Sequence, residues 1–160
     1  MKYHFIREVK EEEMNSNYKT FAIIILCSAV VMYAISYTMI DSFAHFYLSI
    51  NKGYMVLMMV AGMGIVMLVG MRTMYKNKKL NRILYAAFAV LLLVSFLFAR
   101  SQTIVGNEKF LKSMIPHHSM AILICQEASI TDPEIEDLCD EIIRSQKQEI
   151  DQMKEILERY

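Results

Sequence analysis

Charged residues are absent from three long stretches of this 160-residue chain, at residues 21–40, 54–71 and 83–99. None of the stretches contains Lys, Arg, Asp or Glu, and each approaches the roughly 20 apolar residues that cross a bilayer. A helix in the core of a water-soluble protein needs a polar face, and these stretches have none. Their composition excludes an ordinary soluble fold and predicts three transmembrane helices.

A basic patch on a soluble part of the chain is also missing. Residues 1–106 hold 11 Lys/Arg and 5 Asp/Glu, whereas residues 107–160 hold 6 Lys/Arg and 12 Asp/Glu, a net charge of −6. The basic residues flank the apolar stretches, so a nucleic-acid partner is not expected. The partner that the composition does predict is the lipid bilayer, and the acidic C-terminal part would concentrate cations.

Tryptophan is absent, so tyrosines must serve as anchors at the membrane interface. Orientation follows from the short loops: residues 72–82 contain five Lys/Arg, residues 1–19 contain four, and the loop between the first two spans contains only Lys52. Positive residues favour the cytoplasm. We therefore expect a multi-pass protein of a bacterial inner (plasma) membrane with a cytoplasmic N-terminus and a periplasmic or extracellular C-terminal domain.

The predicted organisation is entirely α-helical. A cytoplasmic segment (1–18) precedes the transmembrane region (19–99), a linker (100–106) and a helical hairpin (107–160). Helices are expected over 107–130 and 134–158. Asn107 is the expected N-cap of the first, and Asp132 with Pro133 is a strong start signal for the second.

The short turn makes the two helices antiparallel neighbours, and each shows an a/d heptad pattern. The pattern comprises Leu111, Met114, His118, Ala121, Cys125 and Ala128, then Ile135, Cys139, Ile142, Gln146, Glu149, Met153 and Ile156. Three of these positions are polar where apolar residues belong: His118, Gln146 and Glu149. Distances from the turn place His118 level with Gln146. Two helices bury little core, so we expect the hairpin to complete a four-helix or larger bundle as a homo-oligomer, or to pack on its own membrane region.

Two interpretations of the polar layer remain open on spacing alone. It can be a hydrogen-bonded layer that specifies helix register, or a metal site. His117 and His118 point about 100° apart on a helix, so only one faces the seam. Thioether and imidazole donors together suit copper, and Met114, Met120 and Met153 lie within about two turns of the histidines. Pro116, directly before the histidines, either kinks this helix and re-aims the imidazoles or starts a new helix.

Cysteines are few. Cys125 and Cys139 are equidistant from the turn, and in an oxidising compartment we expect a disulfide between them; shared ligation of a soft metal is the alternative. Cys27, inside the first span, is interpreted as a packing residue. His45, between the first two spans, is one further candidate ligand.

The run Met114-Ile115-Pro116-His117-His118, followed by Gln146-x-x-Glu149-Ile150-x-x-Met153, resembles the bacterial family called domain of unknown function 305. The resemblance covers residues 107–158 and extends to membrane-anchored variants with three N-terminal spans. It implies a ferritin-like fold and a role in copper binding and copper resistance. It assigns the metal ligands to His117, His118, Met114, Met153 and Glu149, with Gln146 and Met120 in supporting roles. Position 119, often Gln in the family, is Ser here.

Catalytic arrangements are absent as well. A di-iron carboxylate site needs Glu-x-x-His pairs, and the sequence has none. No Ser/His/Asp or Cys/His nucleophile stands out, so we do not expect an enzyme. The main hypothesis is a membrane-anchored protein of copper homeostasis or resistance that binds Cu(I) or Cu(II), or another transition metal. The alternatives are a metal-free module whose polar seam specifies helix pairing and, more weakly, an oligomeric transport component.

Overall fold

The computed structural model of the chain describes the backbone of residues 2–160 and the side chains of residues 12–160. Within these residues it contains α-helices, one short 3-10 helix (Phe43–His45) and no strand. The helices are α1 (Lys2–Ile35), α2 (Ile50–Gly70), α3 (Lys78–Ser101), α4 (Asn107–Glu127) and α5 (Pro133–Leu157). The all-α prediction is confirmed. The side chains of residues 1–11, part of the predicted cytoplasmic segment, lie outside this description.

Three helices are long and apolar enough to cross a membrane: Glu12–Ile35 within α1, then α2 and α3. They form one of the two compact units of the chain, residues 1–33 together with 54–101. Phe21, Leu68 and Tyr75 form its buried cluster. Helices α2 and α3 approach closely at Gly64, where an added Cβ would lie 2.6 Å from the Phe88 ring. Most apolar side chains of the spans are not covered by other parts of the protein, as expected for helices that are surrounded by lipid.

The first span ends earlier than predicted, at Ile35 rather than at residue 40. The chain turns at residues 36–39, and Tyr37 within this turn is buried. Its hydroxyl accepts a hydrogen bond of 2.7 Å from the backbone N–H of Ser49. Hydropathy alone extends the span because Tyr37 and the residues around it are apolar enough to continue a membrane helix.

The second compact unit contains the hairpin and a segment that sequence analysis treated as a plain loop. It consists of residues 102–160 and of residues 34–53, here called the connecting segment because it joins α1 to α2. Helices α4 and α5 pack along each other, and the 3-10 helix of the connecting segment also contacts α4. The hairpin therefore has a third element packed against it.

Helix starts in the hairpin follow one prediction and contradict another. Asp132 caps α5, and its carboxylate accepts from the N–H of Glu134 at 2.9 Å, with Pro133 as the first helical residue. Asn107 is not the N-cap of α4. Gly106 occupies that position without a side-chain cap, and the Asn107 amide instead donates to the Tyr160 hydroxyl at 2.9 Å. Glycine is tolerated at an N-cap almost as well as a polar residue, which frees Asn107 for the other contact.

Helix α4 runs without interruption through Pro116, so Pro116 does not start a new helix. The proline ring is fully buried. Its missing N–H leaves the Lys112 carbonyl without its usual helical partner. Burial of the ring offsets part of that cost because the apolar pyrrolidine is removed from water.

Candidate functional site

The seam between α4 and α5 is an apolar cluster with one imidazole inside it. Its buried members are Leu111, Ile115, Ile122, Ile150 and Met153. Half-buried side chains pack around them: Tyr47, Met114, Ile143, Ile156 and Leu157. Burying these side chains is the main source of hairpin stability, at about 25 cal/mol per Å² of apolar surface. The two predicted thioether donors, Met114 and Met153, both belong to this cluster.

His118 is 8% exposed, and each ring nitrogen has a partner. Nδ1 donates to the backbone carbonyl of Met114 at 2.9 Å, one helical turn earlier. Nε2 lies 2.6 Å from Oε2 of Glu149 on α5. Both partners are hydrogen-bond acceptors. The imidazole thus links the two helices and is held in one orientation.

His118 contacts Glu149 on α5, although the distances from the turn place His118 level with Gln146. Glu149 lies one turn beyond Gln146, but side chains on a helix lean toward its N-terminus. The long Glu149 side chain therefore reaches back to the level at which Gln146 begins. The Glu149 side chain is 50% exposed. The site consequently lies at the edge of the seam, where solvent or an ion can reach it.

His117 points away from the seam and is exposed. Its ring centroid lies 6.0 Å from that of His118, with the ring planes inclined by 68°. This arrangement follows the 100° offset expected for consecutive helical residues. Met120 is half buried on the same helix. The structure brings His118 and Glu149 into contact, places Met114 and Met153 in the adjoining cluster, and leaves His117 beside them on the surface.

A second polar layer, which the heptad pattern does not indicate, lies on the face of α4 that meets the connecting segment. The hydroxyl of fully buried Ser119 accepts from the N–H of Asp41 at 2.8 Å and lies 2.9 Å from Nδ1 of His45. On the same face, Ser49 donates to Ser113 over 3.1 Å. The available signal was the small residues at positions 113 and 119, which let another chain segment approach the helix closely.

His45 belongs to this second layer, so it is not an isolated ligand candidate. Burial lowers the pKa of its imidazole, and nearby Lys154 lowers that pKa further. The carboxylates of Asp41 and Asp151 act in the opposite direction but do not reverse the shift. A neutral His45 ring can accept a hydrogen bond from the Ser119 hydroxyl at Nδ1, which fits the 2.9 Å distance between these two atoms.

Cys125 and Cys139 form a disulfide in the structure, with Cα atoms 5.3 Å apart. Helix axes usually lie 8–10 Å apart, which made the pairing geometrically demanding. Ala121 and Ala128 flank Cys125 on α4 and carry no side chain beyond Cβ to hold the helices apart. Cys27 is a free cysteine with an exposed side chain in α1.

No group of three or more His, Cys, Asp or Glu side chains is arranged to hold a metal ion among the described residues. The chain does bring two such groups into direct contact, His118 and Glu149. The hydrogen bond from Nδ1 to a backbone carbonyl is the one that usually orients a metal-binding histidine. Imidazole, carboxylate and thioether donors are chemically suited to copper. One chain thus offers part of a donor set, and Nε2 must lose its proton before it can bind a metal.

Comparisons with known proteins relate the chain to a described family. The profile of the family described as "Domain of unknown function (DUF305)" matches residues 67–157. The match begins within α2, so it is longer than the hairpin. The chain is also 33% identical over 113 residues to "Uncharacterized protein L153" of Acanthamoeba polyphaga mimivirus, which covers 69% of this chain and 72% of the viral protein. No solved structure matches the chain significantly.

Proposed function

The chain belongs to the DUF305 family, and from that premise we propose that it is a membrane-anchored transition-metal-binding protein that takes up copper. The observation that carries the proposal is the fixed His118 ring, whose Nε2 faces the Glu149 carboxylate at the edge of the seam. Met114 and Met153 add soft donors in the adjoining apolar cluster. His117 lies next to the site on the surface. The protein would serve copper homeostasis or resistance.

The surroundings of the site support this assignment. The hairpin carries the net charge of −6 in residues 107–160, which attracts cations to it. A disulfide between Cys125 and Cys139 fits an oxidising compartment outside the cytoplasm. The loop charges place the N-terminus inside. We therefore assign the protein to a bacterial plasma membrane, with the hairpin on the outer side.

Metal titration tests the proposal directly. The purified full chain in detergent is incubated with Cu(I), Cu(II) or Zn(II), desalted, and analysed for bound metal. Wild type is expected to retain copper, and His118→Ala to lose it. Glu149→Gln should also lower copper affinity, because it removes the carboxylate that lies beside Nε2 as a candidate ligand.

Two methionine substitutions, compared with each other, distinguish copper binding from zinc binding. Met153→Leu keeps the volume and apolar character of the side chain but removes the thioether, so it should weaken Cu(I) more than Zn(II). Met59→Leu, on an exposed position of α2, is the matched control and should change neither. Equal copper uptake by wild type and by the double variant His117→Ala/His118→Ala contradicts the proposal.

A metal-free structural role is the second candidate, and the His118–Glu149 contact itself favours it. A buried imidazole that bridges two helices can specify their pairing without any ligand. In that case His118→Ala destabilises the hairpin equally with chelator or with copper present. Under the copper proposal, added copper raises the unfolding temperature of wild type but not of His118→Ala, because a ligand stabilises only the state that binds it.

A further inference from the structure

The hairpin leaves one long face uncovered. On α4 this face carries Phe110, His117 and Ile124, which recur every seven residues. Phe110 and Ile124 are 51% and 47% exposed, and His117 is exposed as well. A regular heptad stripe is the pattern by which one helix packs against another. The stripe is distinct from the one that faces α5.

Helix α5 continues this face on the same side of the hairpin. Ile124 precedes Cys125 by one residue, and Leu138 precedes Cys139 by one. Because the two cysteines are bonded and the helices run antiparallel, both preceding residues turn to the same side. Leu138 is 53% exposed, and Ile135 and Glu149 lie on the same stripe. We call the surface formed by Phe110, His117, Ile124, Ile135, Leu138 and Glu149 the open face.

We propose that the open face binds a second copy of this chain in antiparallel orientation, so that two hairpins form a four-helix bundle around paired His117 side chains. His117 is the midpoint of α4, which runs from Asn107 to Glu127. Turning one hairpin over about this midpoint brings His117 opposite its own copy. The same operation places Phe110 of one chain opposite Ile124 of the other, since both lie seven residues from His117. Two exposed apolar side chains are then buried against each other.

Charge selects the antiparallel orientation. Residues 119–143, at the turn end of the hairpin, contain 7 Asp/Glu and no Lys or Arg. The rest of the hairpin, residues 107–118 and 144–160, holds 5 Asp/Glu and 6 Lys/Arg. A parallel pair would bring two strongly acidic ends together. The antiparallel pair sets each acidic end beside the more basic end of its partner.

The pairing also supplies what one chain lacks as a metal site, and this part rests on the proposed function. A single chain brings only His118 and Glu149 into contact, and no cluster of three ligands forms within its described residues. A second copy brings another His117 to the middle of the open face, close to both His118–Glu149 pairs. The bundle would then be ferritin-like in arrangement, with the site at its centre.

Cross-linking of the full chain in membranes tests the interface without metal binding. In a Cys27→Ser background, His117→Cys should form a disulfide-linked dimer on mild oxidation with chelator present, shifting the band from 18.6 kDa to twice that mass. Gln148→Cys, an exposed position outside the open face, is the control and should stay monomeric. Absence of the His117→Cys dimer, or equal linkage of the control, overturns the proposal.

Orientation and contact are tested by two further variants. Copies carrying Phe110→Cys mixed with copies carrying Ile124→Cys should cross-link to each other, whereas Ile124→Cys alone should not. Linkage of Ile124→Cys to itself as the main product overturns the antiparallel arrangement. Adding Ile124→Glu to His117→Cys should abolish the dimer band, while Gln148→Glu should leave it. An unchanged Cys125–Cys139 disulfide in the Ile124→Glu variant shows that its hairpin is still folded.

Metal uptake distinguishes failure of the two proposals. If the chain cross-links as expected but retains no copper, the proposed interface is supported and the proposed copper function is rejected. A chain with Ile124→Glu that is monomeric and binds copper as tightly as wild type shows that the interface plays no part in the site. The joint expectation is that Ile124→Glu loses both the dimer band and most bound copper.

Discussion

His118 and His45 are two buried or half-buried imidazoles on α4 and the connecting segment, and they have opposite surroundings. His118 faces a backbone carbonyl on its own helix and a carboxylate on α5. His45 faces a serine hydroxyl and has a pKa below the usual range because it is buried and near Lys154. At the scale of single residues, the two rings therefore have different roles: His118 joins α4 to α5, and His45 joins α4 to the connecting segment.

The His45 contact should make the packing of the connecting segment dependent on pH. Its folded-state pKa is lowered, so the unfolded state binds more protons as pH falls below about 6.5. The contribution is fully present above that pH and is lost as pH falls through the lower, folded-state pKa. The protection of the backbone amides of residues 41–49 against hydrogen exchange should therefore fall as the pH is lowered below about 6.5.

The matched variant for this prediction is His45→Asn, which keeps an acceptor for Ser119 but cannot be protonated in this range. Hydrogen exchange in this variant should change with pH only as the intrinsic exchange rate of an unprotected amide does. An equal loss of protection in wild type and in His45→Asn would assign the pH effect to other groups.

At the scale of helices, the hairpin is held by features at its turn end and by an apolar cluster further along. Asp132 and Pro133 start α5, the disulfide joins the helices near the turn, and the apolar cluster joins them further along. The turn end is otherwise exposed and strongly acidic, so like charges oppose close packing there. The disulfide acts against this repulsion.

Breaking the disulfide should destabilise the turn end. The two cysteines are 14 residues apart, and closing a loop of that length stabilises a protein by about 3 kcal/mol in the chain-entropy account. We expect Cys125→Ser/Cys139→Ser to lower the unfolding free energy of the hairpin by that order. Urea unfolding followed by exchange at the hairpin measures it, with Cys27→Ser as the control.

Mass mapping without reductant checks the premise of this prediction. A peptide pair linked through Cys125 and Cys139 is expected in protein isolated from membranes. Free thiols at both positions would show that the chain lives in a reducing compartment, or that the helices do not approach as closely as the Cα separation of 5.3 Å indicates.

At the scale of the whole molecule, two compact units share one chain. One holds the three helices able to span a membrane, and the other holds the hairpin with the connecting segment. The family match begins at residue 67, inside α2, and ends in α5. Similarity therefore extends across both units and is not confined to the hairpin.

The distribution of positive charge predicts the topology of the whole chain. Alkaline phosphatase, active only outside the cytoplasm, should be active when fused after residue 160 and inactive when fused after residue 77. A fluorescent protein that folds only in the cytoplasm should give the reverse. Replacing the five Lys/Arg of residues 72–82 by Gln should weaken this asymmetry, because positive residues in short loops favour the cytoplasmic side.

The sequence by itself determined the all-helical fold, the three spans and the start of α5. Those features depend on local composition: runs without charge, heptad spacing, and a cap followed by proline. It also indicated the cysteine pairing, because a short turn sets which residues of two antiparallel helices are level.

Only the tertiary structure decided that Glu149 contacts His118, that Tyr37 contacts Ser49, and that Ser113 and Ser119 hold the connecting segment against α4. Each depends on the reach and direction of a side chain between segments far apart in sequence, which periodicity does not encode. The three uncharged stretches still mark the spans. The structure adds that the segment between the first two packs against α4 and helps build the hairpin unit.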